Sequence, residues 1–313
     1  MYHVNPFLGR GKFVTVQDAV GGLILSDVNM ERFLESGEVS PRLDHIDFSL
    51  APGEWVHIVG TNGSGKSTLA RLLAGLTIDG VQGTWNRGFA GNRPMPYVMQ
   101  QPDSQLFAET PRQEVRFALE WQGVSADEIL HRTEAILTRT GLLSIGDVPW
   151  ERLSGGQRQL AAVAAASAAS APLIVFDEAT SMLDEQSCTE VLRLARELHR
   201  QGTAVVWVTQ RLQEIEGSGR VVAMLDGRIV FDGLGSDFLY GSEAEAEADA
   251  DADADAVAGA VALRTPHTLT PCQACGLRLP YLPALALELG RQGKLKRPYP
   301  ETAAEWEQVL SQL

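Results

Sequence analysis

Apolar and polar positions alternate along the N-terminal part of the chain. LILSDVNMERF (23–33) and LDHIDFSLAPGE (43–54) place apolar side chains at roughly every second residue, the period of half-buried strands. These read as antiparallel strands, the last turn lying at Pro52-Gly53. WVHIV (55–59), APLIVFDEA (171–179) and TAVVWVT (203–209) are instead continuous apolar runs. They are too short for helices and are bounded by turn residues, so they predict strands buried on both faces. The segments between them carry helical spacing, STLARLLAGL (67–76) and residues 110–145 most clearly. Strands alternating with helices predict a mostly parallel sheet and an α/β fold. VVAMLDGRIVFDG (221–233) then predicts a hairpin turning at Asp226-Gly227.

The pattern stops at EAEAEADADADADA (243–256). Like charges repel there and alanine offers little to bury, so the segment reads as a solvated linker, with an anionic helix as the second reading. Beyond it, Pro283 can open a helix carrying Leu285 and Leu289. Thr302 and Glu305 have capping-box spacing ahead of Trp306, Val309, Leu310 and Leu313. The divisions are a leader (1–21), a main domain (22–238), an acidic low-complexity linker (239–275) and a small helical unit (276–313).

Composition narrows the function. The 313 residues carry a net charge of −14, half of it from the acidic residues between Glu243 and Asp255. An acidic balance argues against nucleic acid as a partner, which needs a basic footprint. The longest apolar tract, Ala161 to Phe176, contains Ser167, Ser170 and Pro172, so no membrane span is expected. The N-terminus shows no signal peptide. Three cysteines fit a reducing compartment. Cys272 and Cys275 form one CxxC, but zinc needs further ligands and only His267 is near, so they read as incidental. His57, inside an apolar run, reads as a core residue.

Three motifs carry chemistry. GTNGSGKST (60–68) has the pattern of a phosphate-binding loop. Gly60, Gly63 and Gly65 let backbone N–H groups converge on one anion at a helix N-terminus. Lys66 supplies a cation and Ser67 a hydroxyl for Mg2+. LIVFDE (173–178) ends a strand in two carboxylates, Asp177 for Mg2+ and Glu178 for the attacking water. LSGGQRQ (153–159) opens a second helix with Ser154, Gly155 and Gly156, a second anion site. One nucleotide has no use for two such sites in one chain unless the second faces a nucleotide held by another subunit.

Together these motifs resemble the ATP-binding cassette (ABC) ATPases over residues 22–238. The resemblance implies a P-loop NTPase of ABC ATPase type: a mostly parallel core sheet, an antiparallel β subdomain, a helical subdomain and here a small C-terminal helical unit. It implies ATP and Mg2+ as ligands, sandwiched between the P-loop (Gly60, Asn62, Gly63, Ser64, Gly65, Lys66, Ser67 and Thr68) of one cassette and Ser154, Gly155, Gly156 and Gln157 of another. Gln100 in YVMQQPDSQLF (97–107) matches the glutamine that touches Mg2+ and water. Asp184 in SMLD (181–184) matches the dimer seam. Phe33 matches the aromatic that stacks on adenine, a core role being the alternative. PDSQLF, GEWVHIVGTNGSGKSTLARLL, FDEATSMLD and the tail GLRLPYLPALALELGRQG are most similar to energy-coupling factor (ECF) transporter ATPases.

That resemblance implies an ATPase on the cytoplasmic face of the membrane, driving import of a vitamin or metal ion. Its expected partners are a second ATPase subunit, a transmembrane coupling subunit and a substrate-binding membrane subunit. The chain departs from the pattern at one place. VVWVTQR (205–211) ends in Gln210 where the family has a histidine facing the γ-phosphate. An amide still donates a hydrogen bond but cannot become a cation. Two readings follow: the chain hydrolyses ATP with Gln210 in the histidine's place, or it holds ATP and completes the site of a different partner ATPase. A non-transport ABC ATPase is a further alternative.

Overall fold

The computed structural model describes residues 21–33, 39–76, 80–241 and 269–311. The leader up to residue 20, the acidic run, His267 and Leu313 lie outside the described residues.

The alternating segments form β1 (Leu23–Phe33) and β2 (Val39–Leu50), paired antiparallel, with β4 (Val81–Asn86) on the other side of β1. β4 has almost no buried side chain of its own, which is why no apolar pattern marks it.

The continuous runs form the central sheet. Its order is β5 (Tyr97–Val98), β6 (Leu173–Asp177), β7 (Ala204–Val208), β3 (Trp55–Gly60), β8 (Arg220–Leu225), β9 (Arg228–Leu234). All neighbours are parallel except the β8–β9 hairpin. That hairpin turns at Asp226 (φ 48°) and Gly227 (φ 82°), positive angles that a tight two-residue turn requires. The turn also ties subdomains together: Gly227 N–H donates to the Ser64 carbonyl (3.1 Å) and its carbonyl accepts from Asp44 N–H (2.9 Å).

One sheet face packs with α1 (Lys66–Ala74) and the antiparallel subdomain, through Leu69, Leu72, Leu43 and Ile46. The other packs with α4 (Gly155–Ala168) and α5 (Glu185–Arg200), where Phe176 and Trp207 meet Val191 and Leu194. α2 (Pro111–Trp121) and α3 (Ala126–Arg139) cover α4 from outside and form the helical subdomain.

The chain leaves the cassette after α6 (Gly235–Tyr240) and is described again from Leu269. Composition assigns Thr270–Cys275 to the linker, yet these residues include a capped helix, α7 (Pro271–Ala274). Cys272 and Cys275 sit in one apolar cluster with Phe238 and Leu239 of α6 and with Val59. Burial is what a single-chain reading of a polar-flanked CxxC misses. It pushes the Cys272 thiol up to about 12, with help from Cys275, and the Cys275 thiol up to about 11. Among the described residues no group of three His, Cys, Asp or Glu is placed to hold a metal.

α8 (Tyr281–Arg291) begins two residues ahead of Pro283, and α9 (Ala303–Leu310) carries the expected Thr302–Glu305 capping box. Trp306 packs on Ala286 and Leu289, but Leu310 is 53% exposed, so the buried face of α9 is narrower than its apolar spacing. Arg297 donates to the carbonyls of Tyr240 and Gly241 and joins this unit to the end of α6.

His57 lies in the core as expected, on β3. Its Nε2 accepts from Trp55 Nε1–H (3.2 Å), which suits a neutral ring. Burial lowers its pKa from 6.5 to about 4. Below pH 6.5 the unfolded chain therefore gains a proton that the folded chain refuses, so stability falls as pH drops from 6.5 towards 4. The shift corresponds to about 3 kcal/mol once complete. Denaturant titrations at pH 7.5 and 4.5 should show most of this loss in the wild type, and a smaller loss in His57→Gln.

Candidate active site

Strand register brings the candidate residues to one edge. Ile58 of β3 and Asp177 of β6 both pair with Val208 of β7. The loops after β3, β6 and β7 therefore open side by side, at the carboxyl ends where open α/β sheets bind ligands.

From the last residue of β3 onward, Gly60, Gly63 and Gly65 hold φ of 149°, 83° and 102°. At Gly60 and Gly65 a side chain would also collide with backbone: a Cβ would lie 2.3 Å from the Met224 carbonyl and 2.6 Å from that of Arg42. The resulting loop curls around Lys66. The Lys66 ammonium is buried and donates to the carbonyls of Gly60 (2.9 Å) and Thr61 (3.0 Å) across the loop. Burial lowers its pKa, and the carboxylates of Glu178 and Asp177 oppose that shift. Ser64 and Thr68 are buried beneath.

Ser67 Oγ donates to Asp177 Oδ1 (3.0 Å), while Tyr97 OH donates to Oδ2 (2.6 Å). Burial first, then the Asp177 charge, raises the Tyr97 pKa, so the phenol stays a donor. A hydroxyl beside a carboxylate is a hard-oxygen set that fits Mg2+. Tyr97 was not legible as a site residue; its place follows from β5 pairing with β6, in the register Tyr97↔Val175.

Glu178 sits just past β6 at φ 51°, a left-handed conformation unusual for a side-chain-bearing residue, and its N–H donates to the Val208 carbonyl (2.9 Å). Strained geometry of this kind clusters at functional positions. Gln210 Nε2 donates to Glu178 Oε1 (2.6 Å) and to Asn62 Oδ1 (2.7 Å). The amide thus joins the end of β7 to both the P-loop and the carboxylate.

The structure brings Asn62, Lys66, Ser67, Asp177, Glu178 and Gln210 together. It does not bring the LSGGQ segment to them: among the described residues no hydrogen bond joins the two groups. Ser154 instead caps α4, accepting from Gln157 N–H (3.2 Å), while Gln157 Oε1 accepts from Ser154 N–H (2.9 Å). Ser154 and Gly155 are exposed, as is Asp184, which caps α5 by accepting from Ser187 N–H (2.9 Å). These two helix starts touch, since a Cβ on Gly156 would lie 2.1 Å from Ser187 Oγ. Gln100 is exposed two residues beyond β5, without a hydrogen bond to Asp177 or Glu178 among the described residues. Phe33 ends β1 opposite Val39; its side chain lies outside what is described.

Two links missed from the sequence tie α4 to the Gln100 loop. Gln159 Nε2 donates to the Met99 carbonyl (2.9 Å), and Arg158 Nη1 donates to both oxygens of Asp103 (2.7 and 2.9 Å). Beside this loop Phe107, Phe117 and Trp121 form a row, with ring centroids 6.1 and 6.3 Å apart. Phe107 is 80% exposed and Trp121 83%.

A phosphate-gripping loop, a carboxylate pair and a helix start turned outward define a P-loop ATPase of cassette type. Comparison with known proteins agrees. Residues 43–181 match the ABC transporter family. The energy-coupling factor transporter ATP-binding protein EcfA1 of Halalkalibacterium halodurans is 36% identical over 222 residues, covering 68% of this chain and 78% of that protein. EcfA1 of Enterococcus faecalis is 33% identical over 226 residues, covering 69% and 81%. CbiO1 from Clostridium perfringens, part of the ABC transporter complex CbiONQ, shares the fold at a TM-score of 0.57 and 24% identity, over 75% of this chain and 95% of that one. A dimeric ATP-binding cassette in a post-hydrolysis state, bound to ADP and Pi, superposes with the same score and identity over 68% and 98%. This chain belongs to the ABC transporter ATP-binding proteins, ATPases that couple hydrolysis to transport.

Because the β7 end carries an amide, no imidazole titrates there. Gln210→His should add an acidic limb near pH 6.5 to the pH profile of ATP turnover, where an unperturbed imidazole gains its proton. Steady-state phosphate release between pH 5.5 and 8.5 checks this, and the wild type should lack that limb.

Proposed function

We propose that this chain is the ATP-hydrolysing subunit of an ECF-type importer, driving uptake of a vitamin or metal ion through separate membrane subunits. The relatives named EcfA1 support this reading, at 78% and 81% coverage of their length. The observation that carries it is the row Phe107, Phe117 and Trp121, fully formed yet open to solvent next to the Gln100 loop. Large exposed apolar patches mark interaction sites. No helix among the described residues is long and apolar enough to cross a membrane, so transport needs an integral membrane partner. The chain would then sit peripherally on the cytoplasmic face, with the row against the transmembrane coupling subunit.

In this reading Lys66 and the N–H groups of Asn62 to Thr68 hold the triphosphate. Ser67, Asp177 and Gln100 hold Mg2+, which when bound draws charge from the phosphate oxygens. Glu178 polarises the attacking water and Gln210 donates to the γ-phosphate. Ser154 to Gln157 and Asp184 face the nucleotide and seam of a second cassette, and Phe33 lies at the adenine. Residues 276–313 add contacts between cassettes.

A second reading is favoured by Gln210: a chain that holds ATP and completes a different partner's site. The two diverge at Glu178. If hydrolysis occurs at this chain's own P-loop, Glu178→Gln should cut phosphate release in the reconstituted complex by about 100-fold or more. Unchanged turnover would assign catalysis to the partner. For the docking row, Phe107→Asp with Trp121→Asp should release the chain from membranes that carry its partners, while ATP affinity stays within about 2-fold, since neither side chain belongs to the site. Sedimentation with those membranes and a nucleotide-binding titration read the two effects.

A further inference from the structure

Glu214 is a buried carboxylate that the proposed chemistry leaves unused. It closes a short 3-10 turn, Leu212–Glu214, four residues beyond Gln210. Both of its oxygens are engaged. Oε1 accepts from Thr180 Oγ1 (2.7 Å) and faces Arg211 Nε (3.6 Å). Oε2 accepts from Trp207 Nε1–H (2.8 Å) and Thr209 Oγ1 (2.7 Å).

The donors come from three places. Thr180 lies two residues past Glu178, Trp207 is in β7, and Thr209 and Arg211 flank Gln210 on either side. Thr209 Oγ1 also accepts from Arg211 N–H (2.9 Å), which closes the backbone around Gln210. Arg211 then reaches onward to the Thr180 carbonyl (3.2 Å) and to Glu185 Oε2 (3.1 Å), in the first turn of the helix that Asp184 caps.

We propose that Glu214 is a positioning residue for ATP hydrolysis: it locks the Gln210 loop, the Glu178–Thr180 segment and the start of α5 into one body. Three hydrogen bonds converge on its two oxygens, with Arg211 Nε 3.6 Å from Oε1, a set that suits a side chain with an acceptor on both arms. A glutamine of the same shape keeps a carbonyl oxygen for Trp207 and Thr209 but turns its NH2 toward Arg211 and Thr180, so the charge-assisted bond from Thr180 is lost. The amide of Gln210 would then lose its register on Glu178 and Asn62, although Gln210 itself is unchanged. This inference rests on hydrolysis at the chain's own P-loop.

The test is a double-mutant cycle in the full chain with its transporter partners. Glu214→Gln should lower kcat about 10-fold, the cost of one broken buried charge-assisted bond, with KM for ATP moving less than about 2-fold. In a Gln210→Ala background the same change should cost less than about 3-fold, because the group it positions is gone. Equal losses in both backgrounds, or a raised KM at unchanged kcat, would overturn the proposal. If Glu214→Gln fails to fold, Thr209→Val removes one donor and enters the same cycle. Amide hydrogen exchange reads the same point without turnover. Glu214→Gln should lose protection at residues 178–185 and 207–212 while β3 and α1 keep theirs, and uniform loss or none counts against it. If Glu214→Gln exchanges in this way while the wild type keeps its protection yet releases no phosphate, the reading of hydrolysis at this chain's own site is sunk and the Glu214 lock stands.

Discussion

The parallel register of β3, β7 and β6 is the constraint on which the site depends. Nothing in the P-loop, the carboxylate pair or the Gln210 loop is joined by sequence proximity. They meet because Ile58 and Asp177 share Val208 as their neighbour. These strands are buried on both faces, so a slip in register would drag apolar side chains out of two packed layers at once. The chemistry therefore inherits its precision from the hydrophobic effect, and the polar groups at the strand ends only make the last adjustments.

Those adjustments form a chain of short polar links. Tyr97 and Ser67 share Asp177, Gln210 bridges Glu178 and Asn62, and Arg158 and Gln159 tie α4 to the loop carrying Gln100. Two exposed helix starts, Ser154 at α4 and Asp184 at α5, are packed so closely that Gly156 has no room for a methyl group. A push on one helix start is thus felt at the other, as expected of close-packed interiors.

Much of this was legible in the sequence because it was local. The glycine loop, the LIVFDE strand end, the Asp226-Gly227 turn and the Thr302–Glu305 box each carry their physics within a few residues, and each formed where the pattern placed it. What stayed hidden was non-local. Tyr97 reaches Asp177 across 80 positions, and Arg158 reaches Asp103 across 55. A tyrosine ending a loop and an arginine on a helix look like any others until the sheet order is known. Strand β4 was missed because it is exposed, and α7 because Cys272 and Cys275 are apolar only through their burial against Phe238 and Leu239.

The joint between α6 and α7 is apolar. Phe238 and Leu239 pack in the same cluster as Cys272 and Cys275, so both anchors of residues 242–268 belong to one apolar patch. The cassette itself holds those two anchors together, so the seat of α7 is set by burial and not by the residues that lead to it. A helix of four residues, too short to stand alone, keeps its place because its two thiols help complete the cassette's own core.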